Sequence, residues 1–413
     1  MKVGPLMHVV FVEPRFPGNQ KDFVRGLHEV GAEVSAVGEA PLDALGSDLH
    51  AWLTCYEQVG SVCDEPALAR AVQAIHRQRP VDRLEATVEA HILPVARVRA
   101  AAGLAGTSVR TAHLCRDKPV MKDALREAGV ATAQSMGGGD ASEILKFGRR
   151  VGYPLIVKPR AGAGASGTYR VEDESQLAEL LPTLGVGVGA EVAVEEFVDG
   201  HEAFYDTLTV GGVVVHDFMT HYYPNVLEAM RTREVSPQFI TTNRIDTAAP
   251  YAEVRDLGKR VIDALEIGTS ATHMEWFFGD KGLKFSEIGC RPPGVRAWDL
   301  YCAANEMDVY REWAACIVHG RKAQEASRRY SAGIVTLRPE SDGRIAGYDG
   351  LDRVEARFGE SVIDVHLPPP GTPTQPVEAG YMANAWVRMR HPDYDELRNM
   401  LDAVGRWVRV RAT

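Results

Sequence analysis

Cysteine is scarce in this chain: Cys55, Cys63, Cys115, Cys290, Cys302 and Cys316 are scattered, with no CxxC pair. That spacing argues against a disulfide framework or a zinc site and fits thiols kept reduced in a cytosol. Excess positive charge is lacking as well. A formal charge of −10 and a pI near 5.8 leave no electrostatic footprint for nucleic acid. An anionic ligand would have to meet locally placed cations instead. No apolar run approaches membrane length, and the short run Met7–Val12 is broken by Glu13 and Pro14. A signal peptide, a membrane span and a membrane partner are therefore not expected, and a cytoplasmic location is. Internal repeats and low-complexity tracts are absent too. What is present is an ordinary globular composition, 45% hydrophobic and 25% charged over 413 residues, enough for two to four domains.

The opening residues alternate in type. An apolar strand at His8–Val12, a helical pattern over Lys21–Val30 and a second strand at Glu33–Val37 predict an α/β beginning with a parallel sheet. Helical periodicity returns over Pro66–Gln78 and Glu89–Ala102, the latter closed by Gly103. The first domain is placed at residues 1–113. A helix over Asp117–Ala128 then leads into hairpin-like strands at 154–158, 168–171, 191–198, 204–210 and 212–218, the texture of an α+β region. A helix at Tyr251–Leu265 precedes another hairpin, and a helix at Val309–His319 follows it. Boundaries are expected near 190 and 327, leaving a strand-rich region at 328–413 that closes with a helix at Asp393–Val404.

The hairpin Ala271–Arg291 carries the sharpest signal. With Asp280-Lys281-Gly282 as a three-residue turn, Gly282 takes the positive φ, Gly279 pairs with Leu283 and Glu275 faces Glu287. Like charges directly opposite are destabilising unless a cation lies between them, and magnesium takes one or two protein carboxylates plus substrate phosphates. A solvated hairpin edge in another register is the alternative. Upstream, Lys158 is fixed between Leu155-Ile-Val157 and Pro159, where its cation could meet phosphate oxygens or simply reach solvent from an edge. The loop Gly162-Ala-Gly-Ala-Ser-Gly167 matches GxGxxG but runs into a strand, so it opens no dinucleotide-binding helix. It lacks a following GK[ST], and no HRD or DFG segment exists. A glycine-rich loop between strands can instead fold over phosphates. Glu195 and Glu202 flank Phe197 and Val198, a pattern that suits an adenine edge and ribose hydroxyls or a plain polar strand end. Arg291 is fixed beside Pro292-Pro293-Gly294, where a guanidinium suits phosphoryl charge.

In this order, over about 114–320, these segments resemble the ATP-grasp superfamily, and the stretches Val88–Ala100 and Arg116–Lys122 resemble its L-amino-acid ligase branch. The resemblance implies a pre-ATP-grasp α/β domain, two α+β subdomains at 114–190 and 191–327, and a lid-like C-terminal subdomain. It implies that Lys118 and Lys158 bind phosphates, that Gly162, Gly164, Ser166 and Gly167 belong to the flap over them, and that Glu195, Glu196, Phe197 and Val198 form the adenine hinge. Glu202 becomes the ribose acceptor, Glu275 and Glu287 the magnesium ligands, and Arg291, with Lys158, the catalytic cation. Many members carry Asn two residues after the second metal glutamate; here that position is Gly289, so one ion would need another oxygen. The chemistry implied is ATP-dependent joining of a carboxylate to an amine through an acyl phosphate, with ATP and Mg2+ required and free amino acids as preferred substrates. A ligase or carboxylase with a different acceptor, and a non-catalytic ATP-binding module, are the rivals. His221, Tyr222 and Tyr223 are expected in a polar loop that either lines the acceptor side or lies on the surface, and Arg296 or Arg291 is expected to hold the substrate carboxylate. A homodimer is expected from the frequency of twofold assemblies.

Overall fold

A computed structural model describes residues 6–160, 167–380, 382 and 384–413. Strands β1 (His8–Val12), β2 (Glu33–Gly38), β3 (Cys55–Gln58) and β4 (Arg83–Glu85) form a parallel sheet in the order β3-β2-β1-β4. All five residues of β1 are buried, as expected for the inner strand of a sheet covered on both faces. Strands β5 (Ser135–Gly138), β6 (Leu155–Pro159), β7 (Tyr169–Val171) and β8 (Val192–Glu196) form an antiparallel sheet, ordered β5-β8-β6-β7. The helices Ala141–Val151 and Glu174–Thr183 pack Ile144, Phe147, Leu177 and Leu181 against its Leu155, Val157 and Val194.

The remaining strands are β9 (His201–Val210), β10 (Val213–Tyr223), β11 (Gln238–Thr241), β12 (Ser270–Gly279), β13 (Gly282–Gly289), β14 (Ser331–Leu337), β15 (Ile345–Asp349), β16 (Val362–His366), β17 (Ala385–His391) and β18 (Arg409–Ala412). Eight of them make one antiparallel sheet, β13-β12-β9-β10-β11-β14-β17-β16, while β15 pairs with β18. The large sheet thus runs through the boundary expected near residue 327, because β14 hydrogen-bonds directly to β11.

The parallel sheet is fused to the large one by an apolar cluster. Phe11 and Phe23 meet Trp298, Tyr310 and Trp313, from the helices Ala297–Asn305 and Val309–His319. The helix Gln20–Glu29 approaches the second of these backbone to backbone at Gly26, where a Cβ would stand 2.7 Å from the Tyr310 carbonyl oxygen. Close approach of this kind requires glycine.

Several expected elements differ in detail. The segment expected as a helix from Glu89 starts as a 3₁₀ turn, Glu89–His91, and turns α-helical only at Ile92–Ala101. The expected strand at 191–198 ends at Glu196, so Phe197 and Val198 lie in the link to β9. His221, Tyr222 and Tyr223 are not in a loop but end β10, with His221 and Tyr222 buried; their aromatic rings pack inside the sheet's cover, which the polar neighbours in sequence concealed.

Candidate active site

Between the β5–β8 sheet and the β9–β12–β13 edge of the large sheet lies a cavity of about 840 Å³. A volume of this size holds a nucleotide-sized ligand. One end is lined by lysine. Lys158, at the end of β6, and Lys122, from the helix Lys118–Glu127, both donate to Glu195 Oε2, at 2.9 and 2.7 Å. Asp117 caps that helix through Val120 N and also accepts from Arg160, tying the start of the helix to the end of β6. Burial works against the Glu195 carboxylate, but Lys122 and Lys158 outweigh it and hold its pKa at about 2. Burial lowers Lys122 to about 8, whereas for Lys158 the same penalty is overcome by Glu195 and Glu287, and its pKa is raised.

The other end is lined by carboxylates on the β12–β13 hairpin. Glu275 pairs with Glu287, as expected, but by a different route. The turn has two residues, Asp280-Lys281, and Gly279 pairs with Gly282 rather than Leu283. Gly282 does take a positive φ, 74°. A bulge between Trp276 and Glu275, opposite Ser286, then restores the register that a three-residue turn would have given. Glu287 lies 3.3 Å from Lys118 Nζ. Glu275 accepts from the Tyr222 hydroxyl at 3.5 Å and faces His273 Nε2 at 3.6 Å. Behind His273, Asp206 takes its Nδ1 at 2.7 Å and the Tyr301 hydroxyl at 2.5 Å. Burial opposes the imidazolium, yet Asp206 and Glu275 raise the His273 pKa to about 9. For Glu275 burial is likewise outweighed, by His273, Lys158 and Arg291, and its pKa is lowered.

Glu202, the first inward residue of β9, completes this end. Its Oε2 accepts from Val226 N at 2.7 Å. Burial, and then the Glu275 charge, push its carboxyl up to about 8. Arg291, just past β13, donates Nε to Glu89 at 2.6 Å and Nη1 to its neighbouring Pro292 carbonyl at 2.8 Å. Glu89 in turn accepts from Arg116 Nη1 at 3.0 Å.

Of the residues singled out in the sequence, Lys118, Lys158, Glu195, Glu196, Phe197, Val198, Glu202, Glu275, Glu287 and Arg291 all line this one cavity. Gly162, Gly164 and Ser166 lie outside the described residues; Gly167 is described, with φ 69°. Two of the hinge side chains are engaged elsewhere. Glu195 is held by the two lysines, and Glu196 pairs with Lys281 at the hairpin tip and accepts from Gln134 N at 3.3 Å. Phe197 and Val198, the other two residues expected at the hinge, also line the cavity, with Arg170 stacked 4.2 Å from the Phe197 ring. Arg296 pairs with Asp299 at 2.7 Å and is about half exposed. Tyr222, expected either on the acceptor side or on the surface, lines the cavity, whereas Lys122, His273 and Glu89 were missed. Lys122 shares a helix face with Lys118 at i+4, and His273 shares a strand face with Glu275 at i+2, so both were detectable by spacing. Glu89 gives no local signal, for its partner is 202 residues away.

The site also fits a magnesium ion. Among the described residues no three or more His, Cys, Asp and Glu side chains form a metal cage. Two paired carboxylates that face a cavity suit an ion which completes its shell with waters and phosphate oxygens. Beside them stands a third carboxyl, Glu202, whose pKa is raised by burial and then by the Glu275 charge.

Residues 123–304 match the ATP-grasp domain family. The L-arginine-specific L-amino acid ligase of Bacillus subtilis is 27% identical over 243 residues, 57% of each chain. The carbamoyl phosphate synthase large chain of Bifidobacterium adolescentis is 24% identical over 290 residues, 66% of this chain and 24% of that one. The chain therefore spans just over half the length of the first relative and about a quarter of the second. The crystal structure of an L-amino acid ligase from Bacillus licheniformis superposes with a TM-score of 0.79 at 17% identity, covering 100% of both chains. With two antiparallel sheets clasping a cavity where lysines stand beside paired carboxylates, the chain has the ATP-grasp fold, and its residues 123–304 match the ATP-grasp domain family.

Proposed function

We propose that this protein is an ATP-dependent carboxylate–amine ligase that joins amino acids through an acyl phosphate and releases ADP and phosphate. One observation carries the reading: a single cavity brings lysine cations together with paired carboxylates, Lys118 lying 3.3 Å from Glu287, and adds Arg291 to its lining. Lys118 and Lys158 take the phosphates, Phe197 and Val198 the adenine, and Glu202 a ribose hydroxyl. Glu202, protonated up to about pH 8, offers a donor as well as an acceptor for that contact. Glu275 and Glu287 would hold magnesium, which, when bound, neutralises phosphoryl charge.

The substrate carboxylate oxygen attacks the γ-phosphorus; the new O–P bond forms as the bond to the β-phosphate oxygen breaks, and ADP departs. Lys158 and Arg291 stay fixed about the charge that spreads over the phosphoryl oxygens. The amine then attacks the acyl carbon, expels phosphate and gives up a proton to solvent, leaving an amide. Resemblance to an L-amino acid ligase in sequence and to another in fold supports free amino acids as both substrates. The test is ADP release with ATP and magnesium, with and without a mixed amino-acid pool. Release that depends on the pool is expected. Release that needs bicarbonate instead would move the protein to a carboxylase role, and nucleotide binding without release would make it a binding module.

A further inference from the structure

We propose that Glu89, supplied by the parallel-sheet domain, is a positioning residue that sets the angle of the Arg291 guanidinium, and that Gly289 is glycine to let it in. This rests on the ligase reading above. Glu89 follows β4 on its 3₁₀ turn and reaches across to the end of β13, 202 residues away. Its Oε2 accepts from Arg291 Nε at 2.6 Å, and its Oε1 from Arg116 Nη1 at 3.0 Å. With Nη1 held by the Pro292 carbonyl at 2.8 Å, two edges of the guanidinium are fixed. A planar fork anchored at two points has one orientation left. Arg291 lines the cavity, and Glu275 and Glu287 both feel its charge.

Gly289 supplies the independent observation. A Cβ there would stand 3.3 Å from Glu89 Oε2, 3.4 Å from Arg291 Cγ and 3.5 Å from Arg291 Nε. Gly289 has no positive φ, so its backbone does not require glycine; an added Cβ would press on the Glu89 carboxylate while meeting Arg291 at ordinary contact distance. A buried ion pair is poor evidence for stability, because desolvation offsets its attraction. The parallel-sheet domain is already joined to the large sheet by the aromatic cluster around Phe23. The Glu89–Arg291 pair is thus free to serve geometry.

The experiment measures ADP release with ATP, magnesium and the mixed amino-acid pool for the full chain and for Glu89→Gln, Gly289→Ala, their double variant and Arg291→Ala. Losing one charge-assisted contact should lower kcat for Glu89→Gln about tenfold to a hundredfold, with the KM for ATP within about threefold. Gly289→Ala changes no charge yet should lower kcat in the same direction by less, and the double variant should be no worse than Glu89→Gln alone. It also serves as the test if Glu89→Gln fails to fold. Normal kcat in both single variants, with Arg291→Ala inactive, would reduce Glu89 to an interdomain ion pair and overturn the proposal. Normal kcat in Arg291→Ala as well would remove Arg291 from the site, and no ADP release by the unaltered protein would overturn the ligase reading and this inference together.

Discussion

The two ends of the cavity handle buried charge in opposite ways. At the lysine end Lys122 and Lys158 share one carboxylate oxygen of Glu195, so formal charge is positive but every ion has a partner. At the hairpin end Glu202 is buried beside Glu275, and burial first, then the Glu275 charge, push its carboxyl up to about 8. The first arrangement shares one carboxylate between two lysines; in the second Glu287 has Lys118 and Glu275 has His273 as partners, and Glu202 is the group that a proton leaves neutral. The comparison teaches polarity. On the proposed function, phosphates would meet Lys118 and Lys158, and magnesium the adjoining Glu275–Glu287 pair.

The comparison breaks most visibly at the hairpin. Glu275→Gln and Glu287→Gln should each lower turnover by roughly 10²–10³-fold, the size of loss seen when one preorganised charge is removed from a reacting centre. Without nucleotide Glu275→Gln should lower the melting temperature, since His273, Lys158 and Arg291 favour its ionised carboxylate. Near-normal turnover with unchanged magnesium dependence would return the hairpin to a solvated edge.

Effects at the lysine end should separate binding from stability. Lys158→Met should weaken ATP binding by about tenfold to a hundredfold, measured by calorimetry, while the fold survives because Lys122 still pairs Glu195. Lys122→Met combined with Lys158→Met strands a buried carboxylate and should cost about 3–5 kcal/mol in denaturant unfolding. Equal stability of the single and double variants would mean that Glu195 does not depend on the lysines.

Smallest is the pH effect. The Glu202 pKa is raised on folding, from its ordinary 4.5 to about 8, so the native state binds the extra proton. Its stabilising contribution is full below pH 4.5 and is lost as pH rises through about 8. Metal-free protein should therefore lose stability over that window, and Glu202→Gln should flatten the slope. An unchanged slope in Glu202→Gln would place the titration elsewhere.

How much of this was legible in the sequence depended on distance along the chain. Lys158 before Pro159, the Glu275–Glu287 pairing and the helix start at Asp117 are local, and each appears where the sequence put it to within a residue. Even so, the pairing was reached by compensating differences, a shorter turn plus a bulge, because turn length and bulge position trade against each other in a strand of period two. The contacts of Glu195 with Lys122, and of Glu89 with Arg291, join elements that only tertiary packing brings together. The continuation of the large sheet into β14, β17 and β16 was hidden for the same reason, since strand order is set by non-local pairing.

The account is tested most directly by following oxygen. The full chain is incubated with ATP, magnesium and a pool of amino acids whose carboxylates carry heavy oxygen, and the released phosphate is weighed by mass spectrometry. Attack of a carboxylate on the γ-phosphorus, followed by expulsion of phosphate by an amine, moves one carboxylate oxygen into each phosphate, so singly labelled phosphate should appear in step with ADP. ADP accompanied by unlabelled phosphate would contradict the acyl-phosphate route and the ligase function built on it.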